Sequence, residues 1–117
     1  MKSIFFDEIE NTQDYAINEF KDEPLLIVSK AQTAGRGTNR NKWENADQSL
    51  ATSLAFNKEI VNFKKTLVPL LAGYSFVSLH QIEDLKLKWP NDITLNEDKV
   101  GGVLVEEDND LICIGLG

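Results

Sequence analysis

The segment from Lys30 to Trp43 carries Lys30, Arg36, Arg40 and Lys42 and no acid, inside a chain of net charge -7. Gly35 and Gly37 flank Arg36. Glycines there let the backbone approach a ligand and offer its N–H groups as donors. Arginine adds a planar, permanently charged fork suited to phosphate or carboxylate. Trp43 closes the segment with a flat surface on which a purine can stack. Together these features point to a phosphate-bearing ligand, a nucleotide in the first instance. The same composition also fits a solvated loop with a tryptophan tucked against the core. Neither the G-x-x-x-x-G-K-[ST] pattern nor a dinucleotide fingerprint is present.

A second segment, Lys88-Trp89-Pro90-Asn91-Asp92, sets hydrogen-bonding side chains and a carboxylate on a turn after a strand that ends at proline. Groups at the end of a rigid strand are well held. Read alone, it also fits a plain Asn-Asp turn. The third segment is Lys99-Val100-Gly101-Gly102-Val103-Leu104-Val105-Glu106. Paired glycines weaken a strand unless something lies flat against its backbone. A lysine just before them suits a small ligand that ends in a carboxylate. A bulge beside a surface lysine is the competing explanation. His80, Cys113 and the acidic run Glu106, Glu107, Asp108 and Asp110 read as structural or solvated, and no metal ligand is assigned.

The elements that must hold these segments follow from periodicity. Ile4-Phe5-Phe6 reads as a strand. Asn11 or Thr12 caps a helix through about Phe20, with Asp14 in its first turn. Leu25 to Ser29 is a continuous apolar run, the pattern of a buried strand. Lys30 to Lys42 reads as a loop. From Ser49 to Phe56 the chain alternates, with Leu50, Thr52, Leu54 and Phe56 on one face. Ser49, Ala51, Ser53 and Ala55 form the other, which must admit a helix or a ligand closely. Leu67 to His80 is apolar nearly all round and predicts a buried helix with Pro69 in its first turn. Leu85 to Trp89, Asp92 to Leu95, Val100 to Glu106 and Leu111 to Ile114 predict strands, the last three joined by turns at Asn96-Glu97-Asp98 and Asp108-Asn109-Asp110. The order predicts one α+β domain over residues 1–117 with a mixed, largely antiparallel sheet and packed helices.

Composition narrows the function classes. The chain has 117 residues, 42% of them hydrophobic and 26% charged, which is globular and excludes a low-complexity or disordered chain. One cysteine excludes an internal disulfide framework. The acidic balance argues against nucleic-acid binding through bulk charge. Leu67 to Leu79 is too short, and too interrupted by Pro69, Gly73 and Ser75, to span a bilayer. With no signal-peptide pattern, a cytoplasmic enzyme or binding domain with no membrane partner is expected.

The three segments, in this order, resemble the catalytic domain of biotin–protein ligases, whose GRG…W, KWPND and K-[LV]-x-G-[IV]-L-x-E blocks they match. The resemblance implies the catalytic fold shared with class II aminoacyl-tRNA synthetases. It also implies a two-step reaction: biotin and ATP give biotinyl-5′-AMP, and a lysine of a biotin carboxyl carrier protein domain then takes the biotin. ATP and Mg²⁺ are implied as cofactors, biotin as substrate. Arg36, Lys99 and Asp92 would be catalytic. Asn11, Thr12, Gln32, Gly101 and Gly102 would face biotin. Gly35, Gly37, Arg40, Lys42, Trp43 and Asn91 would face the nucleotide. Thr38 and Asn41 stand where the family often has arginine, and Arg40 where it has glycine. The family continues beyond Gly115-Leu116-Gly117, so the resemblance implies a catalytic domain truncated there. It gives no expectation of DNA binding and leaves a homodimer open. A lipoate–protein ligase and a non-catalytic biotin- or nucleotide-binding fragment are the alternatives.

Overall fold

A computed structural model describes residues 1–117. Strand β1 (Lys2–Ile9), helix α1 (Thr12–Glu19) and strand β2 (Leu25–Gln32) form a β-α-β unit whose two strands pair in parallel. Strands β3 (Ala51–Asn57), β4 (Leu85–Lys88), β5 (Asp92–Leu95), β6 (Asp98–Asp108) and β7 (Leu111–Leu116) complete the sheet, with helix α2 (Val68–His80) between β3 and β4. The sheet has seven strands in the order β1-β2-β3-β7-β6-β5-β4. Only β1 and β2 run parallel, so the predicted α+β class with a largely antiparallel sheet is what forms.

The two helices cover opposite faces of the sheet. Leu111 and Cys113 of β7 pack with Ala16 of α1, together with Leu25, Ile27 and Ala55. Ile114 and Leu116 pack instead in a cluster with Ala72, Phe76 and Val77 of α2 and with Leu85, Ile93 and Val103. Side chains alternate along a strand, so this parity places α1 and α2 on different sides. The alternation predicted for β3 takes its physical meaning here. Ala51, Ser53 and Ala55 are the buried set, and their small side chains let α1 sit close.

Asn11 caps α1: its backbone is extended and its side chain accepts from the Asp14 N–H. Two expectations need correction. The loop predicted from Lys30 begins three residues later, because Ala31 and Gln32 still pair with Glu8 and Ile9 of β1. Helix α2 forms with Pro69 in its first turn, but it is not buried all round: only Val68 and Gly73 are buried, while Tyr74 is 65% and Leu79 79% exposed. The sheet covers one side of this helix and no other element covers the rest. Its close approach to the sheet depends on Gly73, where a Cβ would lie 2.6 Å from Leu87 Cδ1. No helix is long and apolar enough to cross a membrane.

Candidate active site

A cavity of about 160 Å³ opens on the α1 face, beyond the helix N-terminus. It is built where α1, the loop after β2, and strands β3, β6 and β7 meet. Gly102, Gly115 and Gly117 line it without side chains. The Trp43 ring lies over two of them: a Cβ on Gly102 would be 3.4 Å from Trp43 Cη2, and one on Gly117 would be 3.0 Å from Trp43 Nε1. A flat molecule or ring therefore finds backbone beneath it and an indole beside it.

The loop that brings Trp43 there is closed by its own backbone. The Trp43 N–H donates to the Gly35 carbonyl at 2.9 Å, and the Gly37 N–H donates to the Asn41 carbonyl at 2.6 Å. Gly35 makes room for close packing, since a Cβ there would lie 2.8 Å from Gln32 Nε2 and 3.2 Å from the Trp43 carbonyl oxygen. Asn39 and Arg40 both adopt left-handed backbone, at φ 57° and 60°. Asparagine tolerates that region; arginine holds it at a cost in strain.

One part of the cavity wall is a chain of uncharged hydrogen bonds. Gln32 Oε1 accepts from the Thr12 N–H at 2.8 Å and lies 3.0 Å from Thr12 Oγ1. Thr12 Oγ1 is 2.9 Å from Ser53 Oγ, and Ser53 Oγ donates to Gln13 Oε1 at 2.8 Å. Gln13 Nε2 donates to the Cys113 and Leu104 carbonyls at 3.1 and 3.3 Å. Thr12, Gln13 and Ser53 are all buried. Asn11, expected at the ligand, is occupied differently: its Nδ2 donates to the Ala34 carbonyl at 2.9 Å and its Oδ1 caps α1.

Another part of the wall is charged. Lys99 Nζ sits 3.1 Å from Asp92 Oδ1 and 5.2 Å from the Trp43 ring centroid. Asn91 Nδ2 donates to the Val103 carbonyl at 3.0 Å, which pins the KWPND turn to β6. Lys42 lines the cavity, 3.7 Å from Glu44. Arg36 is held by two acids: Nη2 donates to Glu106 Oε1 at 2.6 Å, and Nη1 lies 2.7 Å from Asp14 Oδ1. The Glu106 hydrogen bond, offset in part by burial and joined by the Asp14 hydrogen bond, raises the Arg36 pKa still further. Glu106 is thus not the free surface acid its neighbours suggested. Burial pushes the Cys113 thiol up to about 12, with Glu106 adding to the shift, which fits an inert core residue.

Of the site residues named from the sequence, Asn11, Thr12, Gln32, Arg36, Gly37, Lys42, Trp43, Asn91, Asp92, Lys99 and Gly102 line this one cavity. Gly35 and Arg40 belong to its loop but do not line it, and Gly101 faces away, against Ile93. Gln13 and Ser53 are lining residues that the sequence blocks do not contain. The signal for Ser53 was its place on the small-residue face of β3. Gln13 gave none beyond its i, i+3 spacing to Ala16. Asp92 is the one carboxylate lining the cavity, and no three His, Cys, Asp or Glu side chains gather anywhere in the chain. A Mg²⁺ arriving with the triphosphate would find Asp92 as its protein carboxylate, the remaining ligands being phosphate oxygens and water.

A family profile described as "Biotin/lipoate A/B protein ligase family" matches residues 5–117. Biotin–protein ligase 2 of Arabidopsis thaliana is 30% identical, aligned over 93% of this chain and 37% of its own length. Among solved structures, the biotin acetyl coenzyme A carboxylase synthetase of Helicobacter pylori, with bound biotinylated ATP, superposes with a TM-score of 0.87 at 33% identity. It is covered over 98% of this chain and 59% of that one. The biotin protein ligase of Aquifex aeolicus, in complex with biotin and ATP, gives a TM-score of 0.84 at 29% identity, over 98% of this chain and 50% of that one. The chain thus spans little more than a third of the Arabidopsis protein and between half and three-fifths of the two structures. With the profile spanning nearly every residue, this chain belongs to the biotin/lipoate A/B protein ligase family.

Proposed function

We propose that this chain binds biotin in the glycine-floored cavity and activates it with ATP, as the ligand-activating part of a biotin–protein ligase. One observation carries the reading: a single cavity combines an uncharged hydroxyl–amide wall at Thr12 and Gln32 with the Lys99 ammonium beside Asn91 and Asp92. A cyclic urea suits the first, and a carboxylate meeting a phosphate suits the second.

In the first step a biotin carboxylate oxygen attacks the α-phosphorus of ATP. An O–P bond forms, the α–β phosphoanhydride bond breaks, and pyrophosphate leaves. Two anions must approach, so fixed cationic donors lower the barrier. In this reading Lys99 supplies such a donor; its contacts with Asp92 and Trp43, which restrain its flexible stem, support that role. Arg36 has less charge to offer, because Asp14 and Glu106 already face it. In the second step the neutral amine of a carrier-protein lysine attacks the acyl carbon, and AMP leaves with the anhydride oxygen. The amine's proton is released to solvent. A biotin carboxyl carrier protein domain is the acceptor that this reading names.

Calorimetric titration of the chain with biotin and with lipoate tests the reading. Biotin should bind at least tenfold more tightly. Equal or tighter binding of lipoate would replace biotin ligation with the lipoate branch of the family.

A further inference from the structure

Strand β2 outruns its neighbour. Its ladder with β3 ends at Ser29, opposite Ala51. Yet β2 continues to Gln32, held on its other side by Ile9 of β1. The last residues of β2 therefore have no strand on the β3 side, and backbone groups left there need partners. Asn45 provides both for Gln32: Oδ1 accepts from the Gln32 N–H at 3.1 Å, and Nδ2 donates to the Gln32 carbonyl at 2.6 Å. Those two partners fix which end of the carboxamide is oxygen and which is nitrogen. A carboxamide carries the same acceptor and donor as a peptide group, so one side chain stands in for the missing strand. Ser49 Oγ also reaches this stretch of β2, donating to the Lys30 carbonyl at 3.3 Å.

This pair of bonds closes the base of the loop that carries Trp43. The loop leaves the sheet after Gln32, and Trp43 lies two residues before Asn45. Departure and return are thus tied together. The indole has little slack, because a Cβ on Gly102 or Gly117 would be only 3.4 or 3.0 Å from it. A small shift at the loop base moves the ring off its glycine floor. Asn45 itself is exposed and does not line the cavity. When it is removed, water takes over both Gln32 groups, so the fold survives while the loop base opens.

We propose that Asn45, acting as a one-residue strand on the end of β2, is a positioning residue: it sets the Trp43 indole against the glycine floor and so governs how long the activated ligand stays in the cavity. This rests on the reading of the cavity as a site of biotin activation and goes beyond its lining residues. The step affected is release rather than formation. Lys99 and Asp92 pair with each other across β6 and β5, and Asn91 is pinned to Val103 of β6, so all three keep their places when the loop base opens.

The test uses Asn45→Ala and the isosteric Asn45→Asp, which keeps an acceptor for the Gln32 N–H but sets a carboxylate oxygen against the Gln32 carbonyl. Both are made beside Trp89→Phe, which leaves Trp43 as the sole tryptophan. Acrylamide quenching of Trp43 in the ligand-free chain should rise at least about twofold in both variants. Release of biotinyl-AMP should speed at least about tenfold, while its single-turnover formation slows less than about threefold. General loosening would change formation as much as release, so the split between them reports position. Unchanged quenching or unchanged release in both variants, or a formation rate that falls as far as release rises, overturns the role of Asn45 but not the biotin reading. A parent chain that makes no biotinyl-AMP overturns the biotin reading and with it the effect on release. Trp43 quenching needs no ligand, and then tells whether Asn45 still sets the indole.

Discussion

Arg36 grips Glu106 through two hydrogen bonds, Nη2 to Oε1 at 2.6 Å and Nε to Oε2 at 3.3 Å, although seventy residues separate them in the chain. With Asp14 on Nη1, three of the five guanidinium N–H donors are committed within the protein. The contact ties the loop of Gly35 and Gly37 to β6 and α1. Glu106→Gln keeps an acceptor but loses the charge, so it should cost about 1–3 kcal/mol of stability. Denaturant unfolding gives that figure, and hydrogen exchange should show faster exchange at Gly37 and Trp43. Unchanged stability and protection would mean that Arg36 does not hold the loop.

Lys99→Ala should slow adenylation of biotin by at least ~2 kcal/mol in barrier, the scale of removing one preorganised donor. Lys99→Arg should recover part of it, because charge is kept while the position over Trp43 and beside Asp92 shifts. Single-turnover formation of biotinyl-AMP is the readout. Equal rates for wild type and a folded Lys99→Ala variant would take Lys99 out of the chemistry.

Much of this arrangement was legible in the sequence, and the limits have physical causes. The N-cap of α1 is local, so Asn11 and Asp14 announced it. The small face of β3 was visible as a two-residue alternation. The three blocks point to one cavity because the first lies in the loop after β2, the second in the turn from β4 to β5, and the third within β6, which borders both. Glu106 looked like solvated surface, since nothing within its own turn pairs with it; its partner arrives only when β6 and β7 register against the rest of the sheet. The exposure of Tyr74 and Leu79 was hidden because an apolar helix reads the same whether it is covered on one side or on all. The link from Ser53 to Gln13 joins residues forty apart through a helix lying on a strand, which no local pattern encodes.

The loop should keep its adenylate through residues that line the cavity. Thr38, Asn41 and Lys42 do so and Arg40 does not. Thr38→Arg should therefore slow release of biotinyl-AMP several-fold, whereas Arg40→Ala should leave it unchanged. Stopped-flow release measures both. A sharp rise in release with Arg40→Ala would assign retention to Arg40.

The left-handed backbone at Arg40 predicts a separate effect on stability. Arg40→Gly removes the clash between Cβ and the backbone, against a larger entropy loss on folding, and should stabilise by about 0.5–1 kcal/mol. A destabilised Arg40→Gly variant would show that the arginine side chain contributes more than its strain costs.

Cys113 makes stability depend on pH in the alkaline range. Its thiol ionises near 12 in the folded chain against an ordinary 9.0, so the unfolded state loses this proton first. The folded state then binds more protons, and stability falls as pH rises from about 9 towards 12. Cys113→Ala lacks this loss. The stability gap between wild type and variant should narrow across that window, as urea unfolding at several pH values will show. A constant gap would contradict the buried, neutral thiol.

Biotin-dependent exchange of labelled pyrophosphate into ATP is the most direct test of the central claim, because it reports the first chemical step without any carrier protein. The purified chain should catalyse exchange only when biotin is present, and Lys99→Ala should reduce it by a factor of about thirty, the ~2 kcal/mol expected of one preorganised donor. Exchange that is absent with biotin, or that proceeds equally without it, would contradict the assignment of biotin activation to this cavity.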